Sequence, residues 1–129
     1  ESGMENGESS KRPHERLEVW RDSMELVEMI YEISGTFPDS ERFGLTSQIR
    51  RAAVSVPSNI AEGAARRSTP EYLRFLSIAR GSLSEISTQI QIAVRLGYSK
   101  ASPKLDQYID LIFAKLTALM NVLNKRGDA

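Results

Sequence analysis

At 129 residues, with 17 basic and 17 acidic side chains and a formal charge of zero, the chain has the size of one domain able to bury a single core without cross-links. It contains no cysteine, which excludes disulfides and thiolate metal centres, and no apolar run approaching the roughly 18 residues of a membrane span. A reducing cytoplasm is the expected setting, with no membrane partner.

The opening ESGMENGESSKRPHER is polar, so residues 1–15 are expected to form a disordered tail outside the fold, and Glu1-Ser2-Gly3 ahead of Met4 reads as a cloning remnant. The folded domain is expected over 16–126, with 127–129 as a C-terminal tail. From Leu17 the apolar residues Leu17, Trp20, Met24, Val27 and Tyr31 recur in steps of three and four, joined by Ile30 and Ile33 toward Phe37, which predicts a first amphipathic helix. Glu18, Asp22, Glu25, Glu28 and Glu32 lie along its outer face. Carboxylates strung along one stripe do not converge on a metal and read as a solvated surface.

SGTFPDSERFG breaks that helix, with Gly35 as a stop, Pro38 soon after, and Asp39 or Ser40 as turn or cap residues. A second helix is expected from about Leu45 to about Arg67, interrupted by Pro57. Proline at position 57 removes the hydrogen bond to the Ala53 carbonyl and crowds it, at a cost of about 3 kcal/mol in a helix interior. A kink there would let Ser55, Ser58 and Asn59 bond the freed carbonyls or another helix. Ala52, Ala53, Ala61, Gly63, Ala64 and Ala65 have so little bulk that a neighbouring helix can come close.

On a helical wheel Arg51, Ser55, Ser58, Asn59, Glu62 and Arg66 share a polar stripe, and Ile49, Ala53, Val56 and Ile60 an apolar one. The polar stripe reads either as a binding surface or as a structural network around the kink, comprising Ser55, Pro57, Ser58, Asn59 and Glu62. In the simpler, structural reading Glu62 pairs with an arginine.

STPE opens a third helix, with Ser68 or Thr69 as N-cap, Pro70 at the first helical position, where a missing N–H costs nothing, and Glu71 at the positive helix end. Tyr72, Leu76, Ala79, Leu83, Ile86, Ile90 and Ala93 form its ladder, which stops at Gly97. Ser102 and Pro103 open a fourth helix with the ladder Leu105, Ile109, Ile112, Leu116, Leu119 and Leu123. No strand-period segment occurs. The expected fold is all-α, an antiparallel up-and-down four-helix bundle with its second helix kinked at Pro57. Apolar residues beside the ladders, among them Phe75, Ile78, Ile92, Tyr108, Leu111, Ala118 and Val122, predict self-association.

Charge is unevenly spread. Residues 1–41 are net −7, residues 42–100 net +6, and residues 101–129 net +1. The simplest expectation is that the acidic first helix and the basic middle segment balance each other, within the fold or between subunits. Chemistry finds little support: the only histidine, His14, is in the expected tail, and there is no HExxH, phosphate-cradling glycine loop or nucleophile with a base nearby. Asp106 and Asp110 share a helix face but two carboxylates specify no metal. No enzyme activity, metal or cofactor is expected.

Val19-Trp20, Phe37-Pro38, Glu41-Arg42-Phe43-Gly44-Leu45, Gln48-Ile49-Arg50-Arg51-Ala52, Ser55, Pro57, Asn59-Ile60-Ala61-Glu62-Gly63 and Gly81-Ser82-Leu83 with Glu85 carry a resemblance over nearly the whole expected domain. The chain resembles the bacterial four-helix-bundle proteins encoded within intervening sequences of 23S ribosomal RNA genes. That family is similar to the accessory proteins of diversity-generating retroelements, and the likeness implies a homopentameric ring, binding of nucleic acid through basic surface, and association with a reverse transcriptase. The expected function is therefore a non-enzymatic homo-oligomeric scaffold for structured RNA or DNA, or for a nucleic-acid enzyme. The alternative is a purely structural or protein-binding oligomer without nucleic-acid affinity. If phosphates are contacted, Arg50, Arg51, Arg66, Arg67 and Arg74 are the candidates, because repetition around a ring turns a local positive excess into a band.

Overall fold

The computed structural model describes residues 12–128. Four helices dominate: α1 (Glu18–Ser34), α2 (Leu45–Ala64), α3 (Thr69–Arg95) and α4 (Pro103–Asp128), with short 3-10 turns at Pro13–Arg16 and Asp39–Glu41 and no strand among the described residues. Each helix packs on two others, α1 on α2, α2 on α3, α3 on α4, and α4 back on α1, while the diagonal pairs stay apart. This is a four-helix bundle around one core. No described helix is long and apolar enough to cross a membrane.

The ladders of the last three helices face that core. Ile49, Ala53, Val56 and Ile60 of α2 are fully buried, as are Leu76, Ala79, Leu83, Ile86 and Ala93 of α3 and Ile112 and Leu116 of α4. The first helix is turned differently from the expectation. Its core line runs Val19, Ser23, Leu26, Ile30, Ser34 and on to Phe37, whereas Met24 and Tyr31 are exposed. Two serines occupy ladder positions because each satisfies its own hydroxyl on the preceding turn: Ser23 donates to the Trp20 carbonyl (2.8 Å) and Ser34 to that of Tyr31 (3.3 Å).

The helix ends follow from local chemistry. The Ser68 hydroxyl accepts the Glu71 N–H (3.3 Å), and the Ser102 hydroxyl accepts that of Leu105 (3.2 Å). α3 closes in a Schellman arrangement, with Tyr98 N–H donating to the Ala93 carbonyl (2.8 Å), Gly97 N–H to that of Val94 (3.0 Å), and Gly97 at φ +79°. Asp39 and Ser40 serve as turn residues, in the 3-10 turn, and do not cap α2. Glu41 reaches forward instead: its Oε1 accepts the Leu45 N–H (2.9 Å) and its Oε2 the Tyr98 hydroxyl (3.0 Å), so one carboxylate ties the start of α2 to the end of α3.

Both expected tails are partly structured. Residues 1–11 lie outside the described residues, but Pro13–Arg16 packs against α1 and α2, with the His14 ring edge-on to Trp20 at 5.0 Å. At the other end α4 continues through Asp128.

Between α1 and α4, Lys115 Nζ bonds Asp22 Oδ2 (2.5 Å) and Glu18 Oε1 (2.9 Å). The bond to Asp22, followed by that to Glu18, raises the Lys115 pKa above the ordinary lysine range, and Lys115 lowers that of Glu18. Tyr108 donates its hydroxyl to the Asp22 carbonyl (3.0 Å), and burial pushes its pKa up.

Candidate nucleic-acid interface

The five arginines singled out by sequence form two groups at opposite ends of α2. Arg51 and Arg66 are fifteen residues apart in the chain, roughly 20 Å at a helical rise of about 1.5 Å per residue. A single phosphate cannot see both.

At the first end, Arg50 is spent on structure. Its Nε donates to Ser34 Oγ (2.7 Å), its Nη2 to the Tyr31 carbonyl (3.2 Å), and its guanidinium lies 4.6 Å from the centre of the Tyr31 ring. This arginine fastens α2 to the C-terminal end of α1, where cationic charge complements the helix dipole. Arg51 is exposed and has no ion pair among the described residues. Beside it are two residues the sequence reading did not single out for the site, Arg42 and Phe43, with the guanidinium 5.0 Å from the ring centre and Phe43 87% exposed. The available signal was an aromatic residue flanked by arginine and glycine in an interhelical turn.

At the second end, the α2–α3 connection gathers Arg66, Arg67 and Arg74. Arg66 pairs with Glu62 one turn back and stacks over the Phe75 ring at 4.7 Å; Arg74 approaches the same ring at 5.6 Å. Arg67 is exposed, without an ion pair among the described residues. The close approach of the helices here is set by Gly63. A β-carbon at that position would stand 3.0 Å from Phe75 Cβ, 3.0 Å from Tyr72 Cδ1 and 3.2 Å from the Tyr72 carbonyl oxygen.

The polar stripe of α2 divides. Asn59 Nδ2 donates to the Ser55 carbonyl (2.8 Å) and to Ser55 Oγ (2.9 Å), and the Ser55 and Ser82 hydroxyls, the latter on α3, are hydrogen-bonded at 2.8 Å, with either able to donate. These bonds fall on the Ser55 carbonyl and across to α3, not on the Ala53 carbonyl that Pro57 leaves open. Ser58 and Glu62 stand apart from this network, Ser58 exposed and Glu62 paired with Arg66 at the surface. Pro57 itself is buried within α2, which continues through it. Just beyond the network, Gln48, Arg51, Glu85 and Gln89 line a polar groove between α2 and α3, and Gln89 Oε1 is buried there without a partner among the described residues.

No group of three His, Asp or Glu among the described residues could hold a metal. Residues 15–122 match the 23S rRNA-intervening sequence protein family. The chain belongs to that family. The match takes in all four helices nearly to the end of α4, so both arginine groups and the Ser55–Asn59–Ser82 network of this intervening-sequence protein lie within it. No curated protein matches the chain.

Proposed function

We propose that this intervening-sequence protein is a non-enzymatic, self-associating cytoplasmic scaffold that holds structured nucleic acid, or an enzyme acting on it such as a reverse transcriptase. In this reading the bundles run up and down, α2 bends at Pro57, and five of them close into a ring. The count of five rests on the resemblance to retroelement accessory proteins.

One observation carries the nucleic-acid reading. Residues 42–100 hold nine bases and three acids, and the sole ion pair within that segment among the described residues is Arg66–Glu62. Among the described residues the ion pairs of α1 go to Lys115 on α4 and not to this segment of the same chain. Positive charge on the α2–α3 side is thus left for another molecule, and phosphate is the anion that such a band serves best.

A second reading has its own support. Ile78 on α3 and Leu111 and Val122 on α4 are each more than two-fifths exposed, which favours a protein-covered surface. Light scattering combined with RNA retention separates the two. The expected result is a closed oligomer at micromolar concentration that retains RNA at low ionic strength and releases it as salt rises. An oligomer that never retains RNA leaves the protein-binding reading, and a persistent monomer removes the ring.

A further inference from the structure

We propose that the corner between the end of α1 and the start of α2 is a stacking site for an unpaired base of single-stranded nucleic acid, with Phe43 as the platform and Arg42 and Arg51 holding the flanking phosphates. The inference rests on the nucleic-acid reading above and adds to it a place, a strand type and a contact that the junction arginines do not provide.

Phe43 is the most exposed large apolar residue described. The turn that presents it is held firmly: Glu41 N–H donates to the Pro38 carbonyl (2.9 Å), Arg42 N–H to that of Asp39 (3.1 Å), and Gly44 N–H to that of Glu41 (2.9 Å). A side chain held in water on a fixed turn is a preorganised contact, because little freedom remains to be lost when something covers it.

The surroundings specify what covers it. The cleft on the α1 side of the ring is lined by three arginines, Arg42, Arg50 and Arg51, and by a second aromatic residue, Tyr31, with no carboxylate among its lining residues; the groove on the α3 side, which Phe43 and Arg51 also line, holds one, Glu85. The nearest acid in sequence, Glu41, is committed to the Leu45 N–H and the Tyr98 hydroxyl. Arg50 is fixed by Ser34 and Tyr31, so Arg42 and Arg51 supply the exposed charge.

Aromatic rings interleaved with cations suit single-stranded nucleic acid, whose bases offer free π-faces while the backbone follows positive charge. Bases inside a duplex are already stacked on both faces and have none to give. The strand preference therefore distinguishes this corner from the other end of α2, where the Phe75 ring is half-buried and already carries the Arg66 and Arg74 guanidinium groups.

The test is fluorescence anisotropy at low salt with a labelled 15-nucleotide unstructured RNA and a blunt RNA duplex of the same length. Phe43→Ala should weaken single-strand binding about 5- to 150-fold, the range expected for one lost base–aromatic stack. Duplex binding, the oligomer mass and the salt slope should stay as in the native protein. Phe43→Trp should restore affinity and add an indole emission that the single strand quenches. Arg42→Gln with Arg51→Gln should flatten the single-strand salt slope by about 1.4, the share of two phosphates. Unchanged single-strand affinity in Phe43→Ala overturns the stacking site and leaves the wider nucleic-acid reading intact. Loss of oligomer mass in that variant also overturns it, by assigning Phe43 to an interface between copies. If the native protein binds neither RNA, both readings fall together.

Discussion

Two glycines on the bundle make opposite predictions from the same substitution. Alanine is favoured over glycine in a helix interior by about 1 kcal/mol when nothing opposes it. Gly81, exposed on α3, has no atom within 4 Å of where a β-carbon would stand, so Gly81→Ala should raise stability by about 0.5–1 kcal/mol. A β-carbon at Gly63 would stand 3.0 Å from Tyr72 and Phe75 side-chain atoms and 3.2 Å from the Tyr72 carbonyl oxygen, and the Tyr72 backbone cannot step aside cheaply. Gly63→Ala should therefore lose stability in spite of its better propensity, and Gly63→Leu should lose about 1–3 kcal/mol by overpacking. Chemical denaturation of the three variants decides this; a Gly63→Ala protein as stable as Gly81→Ala would show that α2 and α3 are not in close contact there. The polar network is a milder case. Ser55→Ala removes the partner of the Ser82 hydroxyl, on a residue only 7% exposed, and one of the two acceptors of Asn59, which keeps the Ser55 carbonyl; it should cost about 1 kcal/mol in the same measurement.

At the scale of the helix, the ladders of α2, α3 and α4 were readable in the sequence because nearly every core position carries an aliphatic side chain. The orientation of α1 was not. Ser23 and Ser34 interrupt its core line, and an apolar-periodicity reading follows Trp20, Met24, Val27 and Tyr31 instead, a flank that partly covers α2 and is partly exposed. Similarly, the Ser55–Ser82 bond depends on which turn of α3 faces Ser55, and Glu41 bonds an N–H four residues ahead, whereas N-capping side chains bond two or three residues ahead. The arginines were visible as charges, but only packing reveals that Arg50 is consumed by α1 while Arg51 is left exposed.

Helix α1 also sets the pH behaviour. Lys115 has a folded-state pKa raised by Asp22 and Glu18. Its contribution is fully present below the unfolded lysine value of about 10.4 and is lost as pH rises through the folded value. Tyr98, raised by its bond to Glu41, and Tyr108, raised by burial, act in the same direction. Glu18 is lowered, so its contribution is present above the ordinary carboxylate range and lost as pH falls through the folded value. Thermal melts should hold steady from neutrality to about pH 9 and decline above about pH 10, and Lys115→Met should decline less steeply there. An identical alkaline decline in that variant would place the titrating groups elsewhere.

For the molecule as a whole, zero net charge conceals a separation: an acidic α1 tied to α4 on one side, and a basic α2–α3 segment on the other. In the proposed assembly such an asymmetry would be multiplied, since each copy would bring the same exposed Arg51 and Arg67 to an equivalent place around a symmetric particle. The dependence of RNA affinity on salt measures this side directly, because each phosphate neutralised contributes about −0.7 to −0.9 to the log–log slope. The intact oligomer should show a steep slope, and the triple change Arg66→Gln, Arg67→Gln and Arg74→Gln should flatten it by about 2 with the particle mass unchanged by light scattering. RNA that is not retained by the native oligomer at any salt concentration, even at low ionic strength where surface charge acts most strongly, would contradict a phosphate-binding role.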